Sequence, residues 1–307
     1  MQPKRPGKRT TKLRLLIVGA HPADIFDQSG GTMAHHAARG DWVGCVVLTH
    51  GARVHDKVLG VEMFNRAVIP EAGELRRMMA ARADVKAQEV VKACALIGVK
   101  DVFFFGADDA VLLPNEENVR QLARMFRQTK PDIIITHFPK EAGGVGSSHA
   151  AAGEIVMLAI ALAVGVDPGD RNPPHRVAQV FYFGLGAGGV RAGVWGSEGG
   201  YTNDVFIDIT DVAHLKVACL DALKSQGYDG AYARKRIEVS DGAFGVPARV
   251  SYAEAFISLR SETHYHLPLS DLDLQLARLA DDKVIERMSH RIDPDKLLRK
   301  RKKAAPP

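Results

Sequence analysis

The chain has 307 residues, 46% of them hydrophobic and 25% charged, enough for one large α/β domain or two small ones. Its net charge of +5 is an end effect: residues 1–14 and 296–307 each hold six basic residues and no acid, leaving 29 basic against 36 acidic residues in the body. That balance argues against a nucleic-acid-binding face, the longest apolar run is too short to cross a bilayer, and three scattered cysteines argue for buried thiols in a reducing, cytoplasmic compartment rather than a disulfide framework.

Leu15, Leu16, Ile17 and Val18 form a continuous apolar run, which predicts a strand buried on both faces of a parallel sheet. It ends at Gly19-Ala20, passes through the polar loop His21-Pro22-Ala23-Asp24, and enters a helix beginning near Ser29-Gly30-Gly31-Thr32. Residues 42–49 predict a second strand, followed by the loop His50-Gly51-Ala52-Arg53-Val54-His55. Residues 56–72 have no clear period and are expected to form a flap over a site. Helical spacing from Glu74 to Ile97 stops at Gly98, and Val102 to Phe105 predicts a third strand ending at Asp108-Asp109, read as a solvated pair. An amphipathic helix over 115–129 leads to the strand Ile133-Ile134-Ile135 and then to His137. A glycine-rich loop carries the chain to His149 at the head of a long helix of small residues. Strands are expected over 177–183 and 205–209, a helix over 211–225, and a short apolar segment at 252–256. Alternating strand and helix predicts a Rossmann-like, doubly wound, mainly parallel sheet flanked by helices. The expected division is a basic disordered tail (1–12), one catalytic domain (13–268), and a helical extension with a basic end (269–307).

In such a fold the loops after the first, second and fourth strands converge at one edge of the sheet. They hold His21 and Asp24, His50 and His55, and His137 followed by His149. Two histidines and a carboxylate, with a position left for water, form the ligand set of a catalytic zinc site. No phosphate-binding loop, nucleophile elbow or paired-cysteine motif competes with them, and the first strand is not followed by a dinucleotide fingerprint.

The stretches AHPAD (20–24), SGGT (29–32), LTHGAR (48–53), PDIIITH (131–137), His149 and YAEAF (252–256) resemble the PIG-L/LmbE-like proteins, zinc-dependent N-deacetylases of amino-sugar conjugates and their relatives. The resemblance runs from about residue 13 to 259. It implies one zinc per chain, with His21, Asp24 and His149 as its ligands. Two positions depart from the deacetylase pattern. Ala23 stands where that family has its general base, and Gly146 stands where it has a further histidine; neither side chain can move a proton. A subgroup with alanine at the first position includes 4-oxalomesaconate hydratase and is similar across the rest of the chain, including 204–212. That hydratase has a glutamate where this chain has Ala52.

The first expectation is therefore a zinc-dependent hydratase or hydro-lyase acting on a small, anionic, carboxylated substrate. The alternatives are a zinc-dependent N-deacetylase whose base has been replaced, and a non-catalytic metal-binding protein. Candidate proton-transfer groups are His55, His137 and Asp27; Arg53 and His50 are candidate substrate contacts, Arg53 through its planar fork. A homo-oligomer is compatible with the sequence, and no membrane partner is expected.

Overall fold

A computed structural model describes residues 11–140, 147–185, 197–198 and 201–304. In chain order they form β1 (Arg14–Gly19), α1 (Asp24–Arg39), β2 (Trp42–Thr49), α2 (Lys57–Phe64), α3 (Ala72–Leu96), β3 (Asp101–Ala107), α4 (Glu116–Thr129), β4 (Ile133–Thr136), α5 (Ser148–Val164) and β5 (Gln179–Phe183). There follow a two-residue ribbon, β6 (Ser197–Glu198) and β7 (Tyr201–Thr202), then β8 (Val205–Asp208) and α6 (Ala213–Ala222). A 3-10 turn (Lys224–Gln226), α7 (Ala231–Arg236), a π-turn (Ile237–Asp241), α8 (Gly242–Ala248) and β9 (Ala253–Ser258) complete the core. Three C-terminal helices come last: α9 (Asp271–Leu276), α10 (Asp281–Ser289) and α11 (Pro294–Ala304).

Seven strands make one sheet in the order β3-β2-β1-β4-β5-β9-β8. The pairs from β3 across to β5 are all parallel; β9 alone runs against its neighbours, antiparallel to both β5 and β8. The expected parallel α/β sheet is thus observed, with one reversed strand near its far edge. The apolar run of β1 explains its central place. Leu15 and Ile17 pack on one face with residues of α1, α3 and α6, while Leu16 and Val18 pack on the other with α4 and α5. Helices on both faces leave no solvated side, so a strand that alternated polar and apolar residues could not occupy this position. The segment expected as a flap contains α2, capped by Asp56, whose carboxylate accepts from the Leu59 amide at 2.8 Å. The three buried cysteines are free thiols.

α1 is broken at Ser29, whose φ of −148° lies outside the helical range. The break exposes backbone amides in mid-helix, and Glu254 of β9 satisfies two of them: Gly31 N–H donates to Oε1 at 2.8 Å and Thr32 N–H to Oε2 at 2.7 Å. Lys216 of α6 donates to Glu254 Oε1 at 2.8 Å and to Asp241 Oδ1 at 2.9 Å. All three charged residues are buried. Gly31 itself must be small, because a Cβ there would sit 2.5 Å from Ile209 Cγ2. The SGGT stretch is therefore a helix restart with a carboxylate as its cap. Glu254→Ala should cost about 3–5 kcal/mol, since it leaves the Lys216 ammonium and two amides buried with too few acceptors. Urea unfolding measures this, and a loss below about 1 kcal/mol would rule out a structural role of that size.

Candidate metal centre

β1 ends against a tight turn in which the His21 amide donates to Asp24 Oδ2 at 2.7 Å, fixing the carboxylate at the head of α1. α5 begins nearby at Ser148, with Ser147 capping it by accepting from the Ala150 amide. Gly153, one turn further on, lets α5 press against the chain after β4: a Cβ there would lie 2.5 Å from the His137 carbonyl oxygen. These two local constraints bring His149 beside the first loop.

His21 Nδ1 is 3.2 Å from Asp24 Oδ2 and 3.2 Å from His149 Nε2, and His149 Nε2 is 3.6 Å from the same carboxylate oxygen. A tetrahedral ion with ligand bonds of about 2.0–2.1 Å has ligand–ligand edges of about 3.3 Å. The triangle matches that size, and the three residues form a group that could hold a metal ion. His21 and Asp24 are buried, His149 half-buried. Burial pushes the Asp24 carboxyl up, but His149 and His21 together with a hydrogen bond from His137 outweigh it and hold the group well below the usual carboxylate range. Asp24 is therefore ionised, as a ligand must be.

His137 lies beneath this group. Its Nε2 is 3.1 Å from the Ala20 amide and 3.1 Å from Asp24 Oδ2, and its ring stacks on His149 with centroids 4.4 Å apart. Burial and the neighbouring His149 push its pKa down to about 4, so the ring is neutral at pH 7. It supports the carboxylate rather than lining the pocket. His21 Nε2 is 3.1 Å from Ser148 Oγ, a contact of the kind that fixes the orientation of a ligating ring.

His55 takes a different position. Its ring lies over that of His21, centroids 3.9 Å apart, and it lines the pocket above the triangle with Val54, Asp56, Lys57, Gly60, Val61, Gln226 and Tyr228. Asp109 holds it from behind. The Asp109 carboxylate accepts from His55 Nδ1 at 3.1 Å and from the amides of Arg53, Val54 and His55. Burial pushes this carboxyl up, but the His55 bond and the three amides outweigh it and keep it strongly ionised. Lys86 secures the same loop from α3 by donating to the His55 carbonyl at 2.8 Å. Asp109 was expected to be solvated; it is buried, because the β2–β3 register brings its loop under residues 50–55.

The other sequence candidates sit elsewhere. Asp27 is paired with Arg236, with Nε 3.0 Å from Oδ1 and Nη2 on Oδ2, so both oxygens are committed to a guanidinium. Arg53 is turned to Asp108 at 2.7 Å and does not line the pocket. His50 Nδ1 accepts from the Ala52 amide and lies 3.3 Å from Asp109 Oδ1. Ala23 is fully buried among apolar residues, and Gly146 lies outside the described residues. Tyr228 and Gln226 carry no motif that would have singled them out. They reach the pocket because the turn after α6 folds over it.

A family model described as "PIG-L: GlcNAc-PI de-N-acetylase" matches residues 16–160. The chain is 27% identical over 281 residues to 1D-myo-inositol 2-acetamido-2-deoxy-alpha-D-glucopyranoside deacetylase 1 of Catenulispora acidiphila, covering 84% of this chain and 81% of that protein. A deacetylase of the same description from Streptomyces griseus is 31% identical, and the match spans 54% of its length. The 4-oxalmesaconate hydratase of Pseudomonas putida is 26% identical over 71% of this chain and 75% of its own. Among solved structures, the 4-carboxy-2-hydroxymuconate hydratase of Pseudomonas putida superposes with a TM-score of 0.64 at 20% identity, covering 83% of this chain and 100% of the other. The N,N'-diacetylchitobiose deacetylase of Pyrococcus horikoshii does so with a TM-score of 0.63 at 19% identity, covering 84% and 88%. These two likenesses establish the shared fold. The matched family model, the sequence relatives and that fold agree in likening this chain to enzymes of the PIG-L superfamily.

Proposed function

We propose that this protein is a zinc-dependent hydrolase that removes an acyl group from the nitrogen of a small molecule. One observation carries this reading: His21 Nδ1, Asp24 Oδ2 and His149 Nε2 form a ligand-sized triangle, and a histidine backed by a carboxylate lines the same pocket. When bound there, zinc supplies Lewis acidity and lowers the pKa of water toward neutrality.

The chain's own residues do the rest. Asp24 and His21 fix the floor, and His137, kept neutral, supports Asp24 without adding charge. Asp109 accepts the Nδ1 proton of His55 and so leaves Nε2 as the basic nitrogen, the same division of labour as in a hydrolase triad. His55 can take a proton from water and return it to the departing nitrogen. The absence of a carboxylate at position 23 therefore does not leave the site without a proton-transfer group.

Hydration of a small unsaturated acid is the second reading. Ala23 and the similarity to 4-oxalmesaconate hydratase favour it. The order differs from the sequence expectation for two reasons. Most of the relatives compared are deacetylases, and Arg53, the candidate carboxylate clamp, is committed to Asp108.

Two experiments test the proposal. His149→Ala should lose stoichiometric zinc by metal analysis, whereas His55→Ala should keep it. Zinc-loaded protein should release acetate from an N-acetylglucosaminyl inositol, and His55→Ala should lower kcat about 10²–10⁴-fold. Asp109→Asn should lower it at least about tenfold with zinc content unchanged. Absence of acetate release alongside hydration of 4-oxalomesaconate would reverse the order of the two readings.

A further inference from the structure

α2 is an apolar helix that faces solvent. Of its eight residues only Leu59 is buried, while Val58, Val61 and Phe64 are exposed, Phe64 at 95%. Val54 before the helix and Val68 and Ile69 after it are exposed as well. Exposed apolar side chains scattered singly need no explanation, but a run of this kind marks a surface that something covers.

Two of these residues belong to the metal pocket. Val54 and Val61 line it together with Gly60, and a Cβ on Gly60 would meet nothing within 4 Å, so the helix surface is open there. The cavity holds about 450 Å³. That volume falls within the range of about 300–1,000 Å³ typical of sites that enclose a drug-sized molecule, far more than an acetyl group fills. Its charges do not ask for an anion along this wall. Lys57 is the only lysine or arginine among the described residues lining it, and Asp56 is committed to the Leu59 amide and to Arg82 at 3.0 Å.

We propose that the substrate carries a flexible alkyl chain, longer than acetyl, that lies along α2 over Val54, Gly60 and Val61. This rests on the N-acyl hydrolase reading for the reacting end. In that reaction the oxygen of water bonds to the acyl carbon, the carbon–nitrogen bond breaks, and the nitrogen leaves with a proton as the amine. Burying the chain against α2 places the scissile carbonyl at the His21–Asp24–His149 floor. It also explains why α2 keeps valines and a glycine where a solvated helix would carry charge.

The test separates this inference from the catalytic reading by measuring binding. Full-length zinc-loaded protein is titrated calorimetrically with straight-chain hydroxamates from acetohydroxamate to octanohydroxamate. Affinity should rise about two- to fourfold per methylene as the chain covers Val61. Val61→Asp, an exposed position that folding tolerates, should flatten that rise. A flat series in the unsubstituted protein overturns the proposal whatever the enzyme hydrolyses. So does a flat series in a protein that self-associates through α2, since a second copy would then be what covers the face. A rising series without any N-acyl hydrolysis supports the chain site and removes the hydrolase reading instead. N-acyl glucosamines of increasing length then report the same chain in turnover, with kcat/KM rising as the acyl group lengthens.

Discussion

The carboxylate of Glu254 ties the last core strand to the first helix, and the geometry of the site depends on that tie. α1 is not continuous: its first turn holds Asp24 at the end of β1, Ser29 interrupts it, and its later turns pack in the core. The break leaves amides in the protein interior, where water cannot reach them, and a carboxylate is the acceptor that can take two at once. An isolated buried carboxylate would be costly, so Lys216 accompanies it, and Asp241 shares the ammonium. Burial and the nearby Glu254 hold Asp241 above the usual carboxylate range, whereas Lys216 is held in its charged form by both acids. The cluster thus joins α1, α6, β9 and the turn before α8 into one unit. The salt bridge from Asp27 to Arg236 extends it to the end of α7.

On that frame the candidate metal centre is an electrostatic arrangement as much as a steric one. A single carboxylate is surrounded by three histidines, of which two can ligate and the third is kept neutral beneath it. Burial pushes the Asp24 carboxyl up; the neighbouring imidazoles more than reverse that push. The result is a pre-ionised oxygen flanked by two nitrogens at the edge lengths a four-coordinate ion requires.

On the reading proposed above, proton transfer comes from a different loop than the family resemblance would suggest. The side chain at position 23 is a methyl group packed in the core, while the β2 loop lays His55 over His21. The loop holds its shape because four donors converge on Asp109 and Lys86 clamps the His55 carbonyl. A general base set on a loop needs such an anchor, since a ring free to rotate would lose the tautomer and direction that make it useful.

The sheet and the ligand candidates were readable from the chain itself. An apolar run such as 15–18 can exist only where both faces are covered, and polar residues at the ends of parallel strands converge because the topology places those ends together. The reversed direction of β9 was not readable, since YAEAF has the same pattern in either orientation and only its pairing with β5 and β8 decides. The role of Asp109 depended on a register between β2 and β3, and that of Asp27 on an arginine 209 residues away. Both aspartates look like ordinary loop or helix acids in sequence. A local pattern specifies which face of an element is buried, because that depends on near neighbours. The partner of a charged side chain is set by which distant segments the fold brings within hydrogen-bond reach, and that was decided by the tertiary structure alone.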